Sequence, residues 1–261
     1  MIRIPGIDME SLDTSALSET ERRILSQKAS SPVVYRYRSP EAFLFELKMR
    51  SRIVAAAYAM NASGADFQTF ETTRGNGRYW TRTEAGGLRL NEGATPSDAI
   101  KDIFVNGRLY GFECATAMVV ILYKAALDAM GEDAFNAYFR NLLLYDWQYD
   151  NDLNLISSSD LSEAYPGDVL YFRNPDHDPD KPEWQGENVI KLADDLYFGH
   201  GIGIGSGQDM IRALNRTRRP GSTVSAFLDD QVDHPDFEHL LALASPRTAR
   251  IGASVYRFIL A

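Results

Sequence analysis

The stretch Gly111-Phe-Glu-Cys-Ala-Thr-Ala-Met-Val-Val-Ile-Leu-Tyr-Lys-Ala-Ala-Leu127 constrains the fold of this chain more than any other. From Cys114 to Met130 the sequence is apolar on nearly every side, and it closes at Gly131. It therefore predicts a helix without a solvent-facing stripe. Such a helix has to be wrapped by other elements and so becomes the centre of a core. Its most apolar part, Ala115 to Leu127, is 13 residues long and contains Lys124. That is well short of the ~20 residues that cross a bilayer, so no membrane span is expected. The 44% hydrophobic residues of the chain are enough to enclose it.

The surroundings read as helices first and strands second. Residues 1–31 form a largely polar N-terminal arm with a short helix from Ser18 to Gln27. Ser39-Pro40-Glu41 is a cap with proline at the first helical position, and Phe43, Leu47, Val54 and Ala57 recur at helical spacing up to Asn61 and Gly64. Phe67–Phe70 and Arg78–Arg82, joined through Gly75-Asn76-Gly77, read as a hairpin. Pro96 opens a helix through Phe104, and Glu132 to Leu144 reads as another. The period then changes: Asp168–Arg173, Glu187–Leu192, Leu196–Ile204 and Ser254–Leu260 read as strands, and 150–167 and 173–185 as loops. This order gives an α+β fold, a single domain over 1–261 in which the central helix packs on an antiparallel sheet.

Cys114, the only cysteine, stands at the head of that helix. With no disulfide possible and no basic-then-apolar leader at Met1, synthesis in the cytoplasm is expected. The net charge of −9 argues against a nucleic-acid partner. Two readings of the thiol fit: a small core hydrophobe, or a nucleophile whose thiolate is favoured by the helix N-terminus.

A nucleophile needs a base. His234 and His239 lie among acids and His177 in a proline-rich loop, whereas His200 lies in an apolar strand with Gly199, Gly201, Gly203 and Gly205 on the other parity. A two-residue turn at Asp194-Asp195 would set Val189 opposite His200 and place Glu187 on the same face as the imidazole. Two other patterns fail. Asp176, Asp178, Asp180 and Glu187 match four positions of a calcium loop, but Lys181 occupies its obligatory glycine position and no helices flank it. The glycine run lacks the spacing of a dinucleotide fingerprint. Neither a metal nor a cofactor is expected.

Cys at a helix head, the strand Pro166-Gly-Asp-Val-Leu-Tyr-Phe172 and His200-Gly-Ile-Gly-Ile204 resemble the layout of papain-like amidases. Phe45–Ala57, Phe112-Glu-Cys-Ala-Thr-Ala117, Leu144-Tyr-Asp-Trp147, Trp184-Gln-Gly-Glu-Asn-Val-Ile190 and Tyr197-Phe-Gly-His-Gly-Ile202 more closely resemble the protein-glutamine gamma-glutamyltransferases (transglutaminases) of bacterial spore coats. The resemblance implies a papain-like core and a calcium-independent enzyme. It joins glutamine and lysine side chains of coat proteins by isopeptide bonds, with the spore coat as its destination. It further implies Cys114 as nucleophile, Glu187 as its partner carboxylate, His200 as an active-site histidine and Glu113 as a carboxylate that partly substitutes for Glu187. Phe67, Trp147 and Trp184 would line the substrate passage. A thiol amidase or peptidase on the same scaffold, and a non-catalytic coat scaffold protein, stay open as alternatives.

Overall fold

The computed structural model of the chain describes residues 1–6, 9, 13–245, 247–251 and 254–258, the last two stretches as backbone only. Helix α1 (Glu19–Ser30) starts in a capping box, with Ser18 accepting from the Glu21 N–H and Glu21 reaching back to the Ser18 N–H. It carries Ile24 into the interior, and Ile2–Arg3 pairs with Tyr35–Arg36, so the arm lies against the body. Helix α2 (Pro40–Ser63) is capped by Ser39 and ends at Gly64, whose φ of +83° is a left-handed cap that glycine adopts without a Cβ clash. Helices α3 (Pro96–Val105), α4 (Cys114–Met130) and α5 (Glu132–Tyr138) follow.

Helix α4 is the centre, as its sequence requires. Met118 through Tyr123 are fully enclosed, packed among α2, α3, α5 and the sheet. Each large apolar side chain buried in this way contributes about 1.5–3 kcal/mol. The one break, Lys124, is paired with Asp128 a turn later.

The main sheet is made of β1 (Leu155–Ser158), β2 (Val169–Arg173), β3 (Gly186–Ala193), β4 (Leu196–Gly199), β5 (Gly203–Gly205) and β6 (Phe227–Pro235). Its order is β5-β4-β3-β2-β6-β1, antiparallel throughout. Val169, Ile190 and Phe198 face α4; Leu170, Phe172, Val189 and Tyr197 face the other way and pack with α6 (Gly207–Asn215). Helix α7 (Phe237–Ala244) returns to α2 and α4. The fold is thus α+β, with Cys114 at the start of the central helix.

Four local expectations change. Asp66–Phe67 pairs in parallel with Gly111–Phe112, not with the next strand, and Trp80–Arg82 pairs with Leu88–Leu90. The reason lies in the turn: Asn76 is tied to Asp102 through its carboxamide (2.8 Å), while the tight reversal is made at Thr83–Gly87. The helix expected over 132–144 stops at Tyr138, because Leu143–Leu144 is taken up as a strand beside Leu88–Leu90. Strand β1 lies within the segment 150–167 expected as loop. The strand expected over 196–204 breaks at His200–Ile202, where the chain turns between β4 and β5. The final strand runs over Ser254–Phe258, paired with Arg247–Ile251; Ile259 and Leu260 lie outside the described residues.

Candidate active site

Helix α4 begins at Cys114 because Glu113 caps it: its two carboxylate oxygens accept from the Ala115 N–H (2.6 Å) and the Thr116 N–H (2.7 Å). The thiol is buried, 9% exposed, at the floor of a cleft of about 280 Å³. Phe70, Glu71, Glu113, Asp146, Tyr171, Glu183 and Asn188 are among its walls, and among the described residues no lysine or arginine lines it. The Asn188 Nδ2 donates to Cys114 Sγ at 3.4 Å.

The β3–β4 register places Glu187 and His200 on opposite parities. Ala193 does pair with Leu196 across the two-residue turn, but a bulge at Leu192 then shifts the ladder by one. Lys191 meets Tyr197 and Val189 meets Gly199 instead of His200. The expected shared face of carboxylate and imidazole is therefore not formed. Glu187 is directed instead at the glycines. Its Oε1 accepts from the Gly201 N–H (3.1 Å), and a Cβ on Gly199 would lie 2.8 Å from that oxygen. Glycine at 199 is thus a condition for the carboxylate's position. The Glu187 Oε2, fully buried, has no hydrogen-bond partner among the described residues.

His200 turns to the α4 side. Its Nε2 donates to the Asp66 carbonyl at 3.1 Å, and its ring stacks on Phe112 with centroids 5.1 Å apart. Phe67 contacts His200 (6.4 Å) and Trp184 (5.5 Å) in an aromatic cluster that does not itself line the cleft; Phe67 and Trp184 are close in sequence to the lining residues Thr69, Phe70, Glu71, Glu183 and Gln185. Trp147 is set apart from that trio. It follows Asp146, whose φ of +51° forms the tight turn Tyr145–Gln148, and packs on the main core while Asp146 lines the cleft.

Electrostatics here run against the ordinary values. Burial, and then the charges of Glu187 and Glu113, push the Cys114 thiol well up. The thiolate expected from the helix N-terminus is not favoured: burial works against it first, and the positive helix end is already occupied by Glu113. Burial, and then Glu113, raise Glu187 to about 8, against the opposing Gly201 N–H. Burial lowers His200 to about 4, so it is neutral at pH 7. A carboxyl group with a pKa near neutrality can both take up and release a proton there, as general acid–base chemistry requires, while the raised thiol makes its own proton the harder one to remove.

The calcium-like pattern is dispersed: Asp176 accepts from Arg219 and Ser222, and Glu187 is buried at the start of β3. Among the described residues no group of three or more His, Cys, Asp or Glu side chains could hold a metal, and no helix is long and apolar enough to cross a membrane. Asn188, Tyr171 and Asp146 escaped the sequence reading. Strand alternation offered a signal for the first two: a residue beside Glu187 must face the other way, toward α4, and Tyr171 is its partner on β2.

A family model described as protein-glutamine gamma-glutamyltransferase matches residues 1–244. The protein-glutamine gamma-glutamyltransferase of Bacillus cereus (strain 03BB102) is 43% identical over 228 residues, covering 87% of this chain and 82% of that protein. That of Bacillus cereus (strain B4264) is 42% identical over 234 residues, covering 90% and 84%. The solved structure of a transglutaminase from Geobacillus stearothermophilus, without its C-terminal extension, is 47% identical and superposes with a TM-score of 0.76. The match covers 80% of this chain and 99% of that one. With these matches, and with a thiol at the head of a buried helix, the chain belongs to the protein-glutamine gamma-glutamyltransferase family of acyltransferases.

Proposed function

We propose that the chain cross-links proteins by transferring a glutamine acyl group from a Cys114 thioester to a lysine amine, with Glu187 as the proton-transfer partner. The observation that carries this reading is the thiol at the head of a buried helix in a chain of this family, together with a buried carboxyl group, Glu187, whose Oε2 has no partner among the described residues. In the first half, Cys114 Sγ bonds to the carboxamide carbon while its proton passes to ionised Glu187. Collapse of the adduct breaks the C–N bond, and Glu187 returns the proton to the leaving nitrogen, which departs as ammonia. In the second half the lysine nitrogen attacks the thioester, Glu187 takes the amine proton, and the thiol is restored.

His200, neutral and held by Asp66, serves as a wall of the site and not as its base. Phe67 and Trp184 limit water at the thioester, which favours the amine over hydrolysis; Trp147 supports this passage from the core side. Glu71, Asp146 and Glu183, unbalanced by any lining cation, favour approach of a cationic amine. The groups this chemistry needs are the chain's own, so transfer is read as calcium-independent. In keeping with the family resemblance, we place the substrates among spore-coat proteins, reached after synthesis in the cytoplasm.

Incubating the protein with a glutamine-bearing protein, a fluorescent primary amine and a chelator tests the reading. Cys114-dependent incorporation of the amine is the expected result. Hydrolysis without incorporation would make the chain an amidase, and an inert thiol would make it a scaffold.

A further inference from the structure

We infer that Asn188 donates, together with the Cys114 backbone N–H, to the oxyanion formed when the thiol adds to the carboxamide. The inference builds on the proposed acyl transfer and starts from what the helix can offer. A helix N-terminus usually supplies several free N–H groups, but here Glu113 has taken those of Ala115 and Thr116. Cys114's own N–H is the first-turn donor outside that cap. One donor is a thin oxyanion site, and the carboxylates lining the cleft, Glu71, Glu113, Asp146 and Glu183, repel a second negative charge.

Asn188 answers that deficit. Its Nδ2 lies 3.4 Å from Sγ, and its side chain is buried, on the α4 side of β3 beside the cleft. A carbon bonded to Sγ carries its oxygen one bond further out. A donor that already contacts the sulfur can therefore reach that oxygen at the roughly 2.7–3.1 Å such sites use. In the step itself the S–C bond forms, the carbonyl π pair moves onto oxygen, and the thiol proton passes to Glu187. The oxyanion accepts from Asn188 Nδ2 and the Cys114 N–H until the C=O bond re-forms and ammonia departs. Attack of the amine on the thioester uses the same two donors. Strand pairing holds the Asn188 backbone between Val189 and Glu187, opposite Tyr171, so the amide is fixed before substrate arrives.

Ammonia release from a glutamine peptide reports acylation whether lysine or water takes the acyl group, so it tests Asn188 independently of the transferase reading. Alkylation of Cys114 by iodoacetamide is the control, because attack on a saturated carbon forms no oxyanion. For Asn188→Ala and Asn188→Asp we expect kcat for ammonia release to fall about 10²–10³-fold, with alkylation within about threefold of wild type. Equal falls in both reactions would reduce Asn188 to a support for the thiol, and an unchanged kcat would remove it from the chemistry; either overturns the inference. Wild-type protein that releases ammonia but incorporates no amine would instead overturn the transferase reading and leave the Asn188 result standing.

Discussion

Glu46 on α2 and Glu187 on β3 are both carboxyl groups enclosed in the protein, and they titrate in opposite directions. Around Glu46 every oxygen is served: Lys28 (3.0 Å) and Arg50 (2.7 Å) meet one, and the Tyr37 hydroxyl (2.7 Å) the other. Arg50 continues to Asp168 (2.6 Å), whose second oxygen accepts from the Tyr165 N–H. Burial alone would raise Glu46, but Arg50 and Lys28 outweigh it and hold it down to about 2. Glu187 is buried to a similar depth with backbone donors only and, among the described residues, no ion-pair partner; burial, and then the charge of Glu113, raise it to about 8. Depth does not set the direction in which a carboxyl group is shifted here; the completeness of its partners does.

The two groups also respond oppositely to pH. Glu46 lies below the ordinary glutamate value of about 4.3, so its stabilisation is present above that pH and is lost as pH falls toward 2. Glu187 lies above it, so folding is favoured most below pH ~4 and loses that favour as pH rises through about 8.

The sharpest way to break the comparison is at the nucleophile: Cys114→Ala should abolish amine incorporation while leaving the melting temperature nearly unchanged. Next, Glu187→Gln should lower kcat by about 10²–10⁴-fold and raise the melting temperature more at pH 9 than at pH 5, as calorimetry at both would show. Glu46→Gln should do the reverse. It leaves Lys28 and Arg50 underpaired and costs about 3–5 kcal/mol of stability, with activity per folded molecule retained. Glu113→Gln should cost less in rate than Glu187→Gln; because Glu113 helps hold Glu187 up, its loss should move the pH–rate profile to lower pH. The smallest effect is expected for His200→Gln, a loss under about tenfold with no movement of that profile, since a neutral wall residue carries no proton in the reaction.

How much of this was legible in the sequence follows from the range of the forces involved. The central helix was readable from its apolar run closing at Gly131, and α2 from its apolar periodicity between Ser39-Pro40 and Gly64, because these signals act locally. Cys114 at a helix head was readable for the same reason. The Glu187–His200 relation was not. It depends on a one-residue bulge at Leu192, which turn length does not encode and which reverses the side-chain parity beyond it. Nor was the state of the thiol. The sequence shows a helix N-terminus, while the folded chain shows that Glu113 has capped it and that the thiol is buried. The contact of Asn188 with Cys114 spans 74 positions of sequence, beyond the reach of any local pattern.

The central claim, that Glu187 is kept underpaired so that it can exchange a proton with Cys114, is tested most directly by the pH dependence of kcat/KM for amine incorporation. The account predicts an ascending limb with an apparent pKa near 8 for the thiol–carboxyl pair in the wild type, and its disappearance in Glu187→Gln. A limb near 4, or one near 8 that survives Glu187→Gln unchanged, would contradict it.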